Sequence, residues 1–305
     1  MKNIIYTLIV MLTLPVLFLT GCTSASQNSD KAVRVLASTS FLADIAQNVA
    51  SDRFRVDSLL PIGSDPHAYQ AAPSDVAKIS ESKLLIINGV EYEHFIQPLL
   101  ENAGGERVVV TATDGLTPDQ MKDEENAGQM AGDPHMWLDP NLVITYVENI
   151  RDGLIEVDPD GKEIYKANAE TYIAQLKELN AWIVEQVDPI PAERRLLVTN
   201  HEAAGYFAKR YGFQIVGAVI PNLSTDAGTS AKEMAVLIGQ IQVSGAPAIF
   251  LGEVENPDFA NQIADETGVK VINDLYLESL TDGSPAATYI DMMKHNVTSI
   301  VNGLK

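Results

Sequence analysis

Histidine is scarce in this chain, five among 305 residues, and three of the five stand in stretches that restrict them. His135 lies inside Asp133-Pro-His-Met-Trp-Leu-Asp-Pro140, where each proline fixes its own φ and pushes the residue before it towards extended geometry. A stiff loop holding an imidazole suits a metal ligand, although an isolated histidine there is better explained by packing against Trp137. The same Asp-Pro-His spelling recurs at Asp65-Pro-His67. A third histidine, His201, follows an apolar run in Val198-Thr-Asn-His-Glu-Ala-Ala-Gly205. Three histidines in three loops form a constellation that packing alone does not explain. Neutral imidazoles suit zinc, copper, nickel or iron and argue against calcium and magnesium, which take oxygen ligands. Zinc would need one more ligand to complete a tetrahedron. Protons compete for the same nitrogens, so affinity should fall as pH drops through roughly 6.5. His94 and His295 fall on predicted helices and are expected to be structural.

The elements that must position these loops follow from the periodicity. Val33 to Ala37 reads as a strand, Phe41 to Ala50 as a helix, Phe54 to Leu60 as a strand leading into the loop of His67, and Ser74 as the cap of a short helix. Leu84 to Asn88 is a continuous apolar run of the kind buried in a parallel sheet, followed by a helix around Phe95 to Glu101 and a strand from Arg107 to Ala112. Thr113 to Gly132, rich in Asp, Glu, Gly and Gln, reads as a mobile acidic loop. Asn141 to Glu156 and Lys162 to Val187 read as helices, the second with Tyr165, Ala169, Tyr172, Leu176, Leu179, Ile183 and Val187 on one face. Pro189 and Pro191 end it, and the alternation restarts: strands at Arg195 to Thr199, Gln214 to Val219, Ala248 to Gly252 and Val269 to Ile272. Between them fall a helix through Tyr211, one opened by the capping box Ser230-Ala-Lys-Glu233, and one started by Asn256-Pro257 and ended by Gly268. Ser284-Pro285 is expected to start the last helix. Two sets of four strands alternating with helices imply an α/β fold of two lobes, each a four-stranded mainly parallel sheet, joined by one long helix. Ligands of such sheets bind beyond the carboxyl ends of the strands, and His67 and His201 both lie in loops leaving strand ends.

Composition bounds the function. The formal net charge is −20, with no basic footprint, so nucleic acid is not an expected partner. Lys2 precedes an apolar run from Ile4 to Phe18 that is short for a membrane span and has the form of a secretory signal. The run ends in Leu19-Thr-Gly-Cys22, which resembles the lipobox of bacterial lipoproteins, with Cys22, the one cysteine, placed for acylation. Thr23 to Asp30 is polar enough to be a tether. The expected organisation is a signal peptide at 1–21, a lipidated tether at 22–30, an N-terminal lobe at 31–157, a linking helix at 158–188 and a C-terminal lobe at 189–305. The chain should be extracytoplasmic, anchored to a bacterial membrane through its N-terminal lipid, and a monomer.

Several linked motifs in order resemble the metal-binding lipoproteins of bacterial ABC importers for zinc or manganese: Gly63-Ser-Asp-Pro-His-Ala-Tyr69, Asn88-Gly89, Asp133 to Pro140, His201-Glu-Ala-Ala-Gly-Tyr-Phe207, Leu275-Tyr-Leu-Glu-Ser-Leu280 and Thr288-Tyr-Ile-Asp-Met-Met293. The resemblance implies two lobes joined by a backbone helix, a metal between them, and delivery to a membrane permease. It places ligands at His67, His135 and His201, with a fourth from the last loop. There Glu278 stands in a position where the family more often has aspartate, and Asp274 or water is the competitor. Members that carry manganese typically replace the third histidine with a carboxylate, so His201 favours Zn2+, with Mn2+ or iron as the alternative. The competing enzyme reading is a zinc hydrolase with a site of three histidines and water, which a fourth protein ligand would close off. An adhesin would leave the three histidines without a reason.

Overall fold

The computed structural model describes residues 33–123, 129–252 and 254–305. The first lobe is built from β1 (Val35–Ala37), α1 (Ser40–Ala50), β2 (Val56–Ser58), α2 (Pro73–Glu81), β3 (Leu84–Ile87), α3 (Ile96–Ala103) and β4 (Val108–Thr111). Its strands lie in the order β2-β1-β3-β4, every ladder parallel. The run Leu84 to Ile87 lacks polar residues because β3 is flanked by β1 and β4, with Leu84, Leu85 and Ile86 fully buried. Phe41, Leu42, Ile45, Ala46 and Val49 recur at helical spacing and bury one face of α1. The second helix starts with Pro73 in its first turn, ahead of the expected Ser74, and Asp75 accepts from the Ala72 N–H at 2.9 Å.

The stretch expected to be a mobile loop contains an antiparallel ribbon instead: β5 (Gln120–Asp123) pairs with β6 (Gln129–Gly132). It belongs to neither four-stranded sheet, so it has no need of the alternating apolar face that marks a strand in sequence. Next come α4 (Val143–Val157) and the 26-residue α5 (Lys162–Val187), whose bounds and buried face match the sequence pattern. At about 1.5 Å per residue α5 spans roughly 39 Å.

The second lobe comprises β7 (Leu196–Thr199), α6 (Gly205–Tyr211), β8 (Gln214–Ala218), α7 (Ala231–Ser244), β9 (Ala248–Gly252), α8 (Asp258–Thr267), β10 (Lys270–Leu275) and α9 (Tyr289–Gly303). Its parallel sheet has the order β10-β9-β7-β8. The Ser230 to Glu233 capping box forms as expected. Two ends differ. The final strand runs on to Leu275, and the last helix begins at Tyr289 behind the Thr288 cap, whose hydroxyl accepts from the Asp291 N–H, rather than at Ser284-Pro285.

One apolar core runs through both lobes. It joins Phe41, Ile45, Trp137, Tyr146 and Ile150 of the first to Leu277, Tyr289, Met292, Val297 and Val301 of the second, through Tyr165, Leu176, Leu179 and Ile183 of α5. Smaller cores lie under α2 and α3 and under α7 and α8. Among the described residues no helix is long and apolar enough to cross a membrane. Cys22 and the tether lie outside the described residues.

Candidate metal centre

Trp137 connects the loop from Asp133 to Pro140 to both lobes. Its ring stacks on Phe41 with centroids 4.6 Å apart. Its Nε1–H donates to the Leu277 carbonyl at 2.9 Å, and its own carbonyl accepts from the Tyr289 hydroxyl at 2.6 Å. Asn88 ties the same loop to β3, donating to the Pro134 carbonyl at 3.1 Å and accepting from the Tyr146 hydroxyl at 2.7 Å. The next residue must be glycine: φ is +91° at Gly89, and a Cβ would strike the Thr111 side chain. His135 is thereby fixed at the lobe junction and fully buried.

Within the loop, Asp133 Oδ1 accepts from the His135 backbone N–H at 2.9 Å and lies 2.9 Å from Nδ1. Such a carboxylate holds the proton on Nδ1 and aims the Nε2 lone pair inward. Glu255 anchors His201 in the same way, with Oε1 2.7 Å from Nδ1, and leaves Nε2 facing inward, free to bind a metal once its proton is lost. The loop of His67 is held by Asp65, whose Oδ1 accepts from the His67 N–H at 2.9 Å and whose Oδ2 accepts from Thr225 of the second lobe at 2.6 Å.

The three Nε2 atoms converge. His135 stands 3.4 Å from His67 and 3.2 Å from His201. Glu278 Oε1 approaches all three, at 3.8 Å from His67, 3.6 Å from His135 and 3.3 Å from His201. A tetrahedral ion about 2.0–2.1 Å from four donors would set their separations at about 3.3–3.4 Å, so the four atoms are spaced to hold one. Glu278 is 1% exposed, and its buried Oε1 has no polar neighbour except these imidazoles, so its charge must be met within the cluster. Its other oxygen, Oε2, accepts a short hydrogen bond from Tyr92.

The electrostatics keep the site ready for a cation. Burial alone would push the Glu278 carboxyl up, but His201, His67 and His135 hold it well below the usual range. Burial lowers His135, keeping it neutral. Burial would lower His201 as well, yet the carboxylates of Glu255 and Glu278 overcome it and raise this imidazole to about 10.

The structure brings together His67, His135, His201 and Glu278 and leaves the competitor Asp274 outside, where its carbonyl meets His295 Nε2 at 2.8 Å. His295 thus has the structural position expected of it. Tyr92 and Glu255 escaped the sequence reading.

The family model for the zinc-uptake complex component A, periplasmic (ZnuA), matches residues 35–303. The chain belongs to this family. Its members are substrate-binding proteins of metal ABC importers, extracytoplasmic components and not enzymes, and the system implies an ABC permease as partner. The ZnuA-family chain is 37% identical over 309 residues to the manganese-binding lipoprotein MntA of Halalkalibacterium halodurans, covering 100% of this chain and 99% of that protein. It is 29% identical to the manganese ABC transporter substrate-binding lipoprotein PsaA of Streptococcus pneumoniae, covering 97% of each. Among solved structures, the periplasmic zinc binding protein TroA of Treponema pallidum superposes with a TM-score of 0.82 at 28% identity, covering 89% of this chain and 99% of that one. The manganese-bound periplasmic metal binding protein of Candidatus Liberibacter asiaticus gives 0.79 at 28% identity, covering 90% and 100%.

Proposed function

We propose that this ZnuA-family protein captures a divalent transition metal at His67, His135, His201 and Glu278 and hands it to its permease, and that the cargo is zinc. What carries the reading is the convergence of the buried Glu278 Oε1 and three imidazole nitrogens, 3.3 to 3.8 Å from it, at the spacing of one tetrahedral ion. The choice of zinc rests on the donor set. Three nitrogens and a single carboxylate oxygen, the other being engaged by Tyr92, suit a four-coordinate ion. Manganese is the second reading, favoured by the name of the relative at 37% identity.

Equilibrium affinity does not separate the two cargoes, because most nitrogen-containing sites hold zinc more tightly than manganese. The separating experiment is uptake of radioactive zinc and manganese by cells carrying the importer. Zinc uptake that depends on this protein, with manganese uptake unaffected by its loss, is the expected result, and the converse identifies a manganese carrier. His67→Ala, His135→Ala and His201→Ala should each weaken zinc binding by orders of magnitude while the apo circular dichroism is retained.

The boundaries proposed for the chain remain a signal peptide at 1–21, a tether at 22–30, lobes at 31–157 and 189–305, and the helix at 158–188 between them. Cys22 is the proposed site of lipidation and membrane attachment. Cys22→Ser should lose incorporation of labelled fatty acid and be released from the membrane fraction. The proposed monomer is tested by light scattering of the protein lacking residues 1–30.

A further inference from the structure

A second cavity, of about 470 Å3, lies where α1, α5 and the start of α9 meet, and none of its lining residues belongs to the metal centre. That volume lies within the usual range for small-molecule sites. Tyr172 and Leu179 line it as buried residues, and Trp182 adds a half-buried indole. The Tyr172 hydroxyl is buried and has no hydrogen-bond partner, which few buried polar atoms tolerate. Beside it stands Asp44, close enough for its charge to raise the Tyr172 phenol further. Asp44 Oδ2 accepts the Tyr289 N–H at 2.9 Å. Burial, against the lowering by Tyr289 and Asn48 and with a smaller push from Asp291, raises this carboxyl to about 6. At the exposed rim Lys294 and Glu178 carry opposite charges, so the deeper charge of Asp44 sets the sign of the cavity.

We propose that this cavity binds an organic cation: a primary ammonium group between Asp44 and the Tyr172 hydroxyl, on an apolar body lying over Trp182 and Leu179. An ammonium group brings three donors and one charge, which supplies the carboxylate with a counter-ion and the phenol oxygen with a partner. The indole adds attraction for the cation or for its hydrocarbon part. A sugar would also lie against an indole, but it would bring no charge to meet the half-buried Asp44 carboxylate. Asp44 belongs to the first lobe and Lys294 to the second, so both lobes and the helix between them line the cavity.

The test uses the full-length protein, metal removed by a chelator, titrated by calorimetry with phenethylamine, with its neutral counterpart 2-phenylethanol, and with glucose. Tryptophan fluorescence gives a local readout. Of the two tryptophans, Trp182 lines the cavity and Trp137 is fully buried in the core. Phenethylamine should bind saturably and the two neutral compounds should not. Asp44→Asn should weaken the amine at least tenfold, and Tyr172→Phe severalfold while leaving the melting temperature unchanged or higher. His201→Ala should bind the amine as the parent does, which separates this cavity from the metal reading. Absence of saturable binding would mean that the cavity holds water only, and the proposal fails. It fails equally if 2-phenylethanol or glucose binds as tightly, if Asp44→Asn has no effect, or if His201→Ala abolishes amine binding.

Discussion

In the proposed site, His201 is where cargo and proton would compete. With its imidazole raised to about 10, the apo protein carries a proton there throughout the physiological range, and metal must displace it. Calorimetry in buffers of different ionisation enthalpy should show about one proton released per zinc near pH 7.5. Affinity should rise about tenfold per pH unit and level off only near 10, not near 6.5 as ordinary histidines predict. The same shift bears on stability. Because the folded value lies above the unfolded one, protonated His201 contributes fully below about pH 6.5, and the contribution is lost as pH rises through about 10. The apo protein should therefore melt at a lower temperature at pH 10 than at pH 7, a loss that the zinc-loaded protein is spared. Tyr92 acts through the carboxylate it restrains. Tyr92→Phe should weaken zinc about 10–100-fold by equilibrium competition with a chelator, while every ligand is kept. The three histidines were legible because their local spelling is unusual. Glu278 came only from the resemblance, and Glu255 is one of 41 acidic residues with nothing in its neighbourhood to single it out until β9 and the turn after it bring it to His201.

At the scale of elements, the proposed ligand Glu278 makes the segment from Tyr276 to Leu280 the one whose movement would free the cargo. It carries Glu278, yet it is fastened to the first lobe at several points. Leu277 receives the Trp137 indole, Ser279 Oγ accepts from the Gly63 N–H at 2.9 Å, and the Leu280 N–H donates to Ser40 at 2.9 Å. Release by withdrawal of this segment requires those ties to part. Ser279→Ala keeps all four donors and removes two ties, those of its hydroxyl to the Gly63 N–H and to Ser40 Oγ at 3.2 Å, so stopped-flow chelation should show faster zinc release, and Glu278→Ala faster still with partial binding through three histidines. An unchanged off-rate in Ser279→Ala would mean that this segment is not what moves. The parallel strands and α5 were readable because apolar runs and a 3.6-residue stripe follow directly from burial. The β5–β6 ribbon was not readable, because it packs into neither sheet.

At the scale of the molecule, the lobes do not have separate interiors. The shared core running through α5 predicts one cooperative unfolding transition, with calorimetric and van't Hoff enthalpies equal, rather than one transition for each lobe. Leu176→Ala, at the centre of that core and fully buried, should lower stability by about 2–5 kcal/mol without splitting the transition. Two transitions would show that the lobes fold independently. The same continuity limits how far the lobes can separate, so scattering profiles of apo and zinc-loaded protein should be nearly superimposable. It also sets the unit in which this chain can be recombined with its relatives. A chimera spliced within α5 would join two half-interfaces that never evolved together. Exchanges confined to surface pieces, such as the ribbon or the α7–α8 pair, leave the inherited interior intact and should be the ones that yield soluble hybrids.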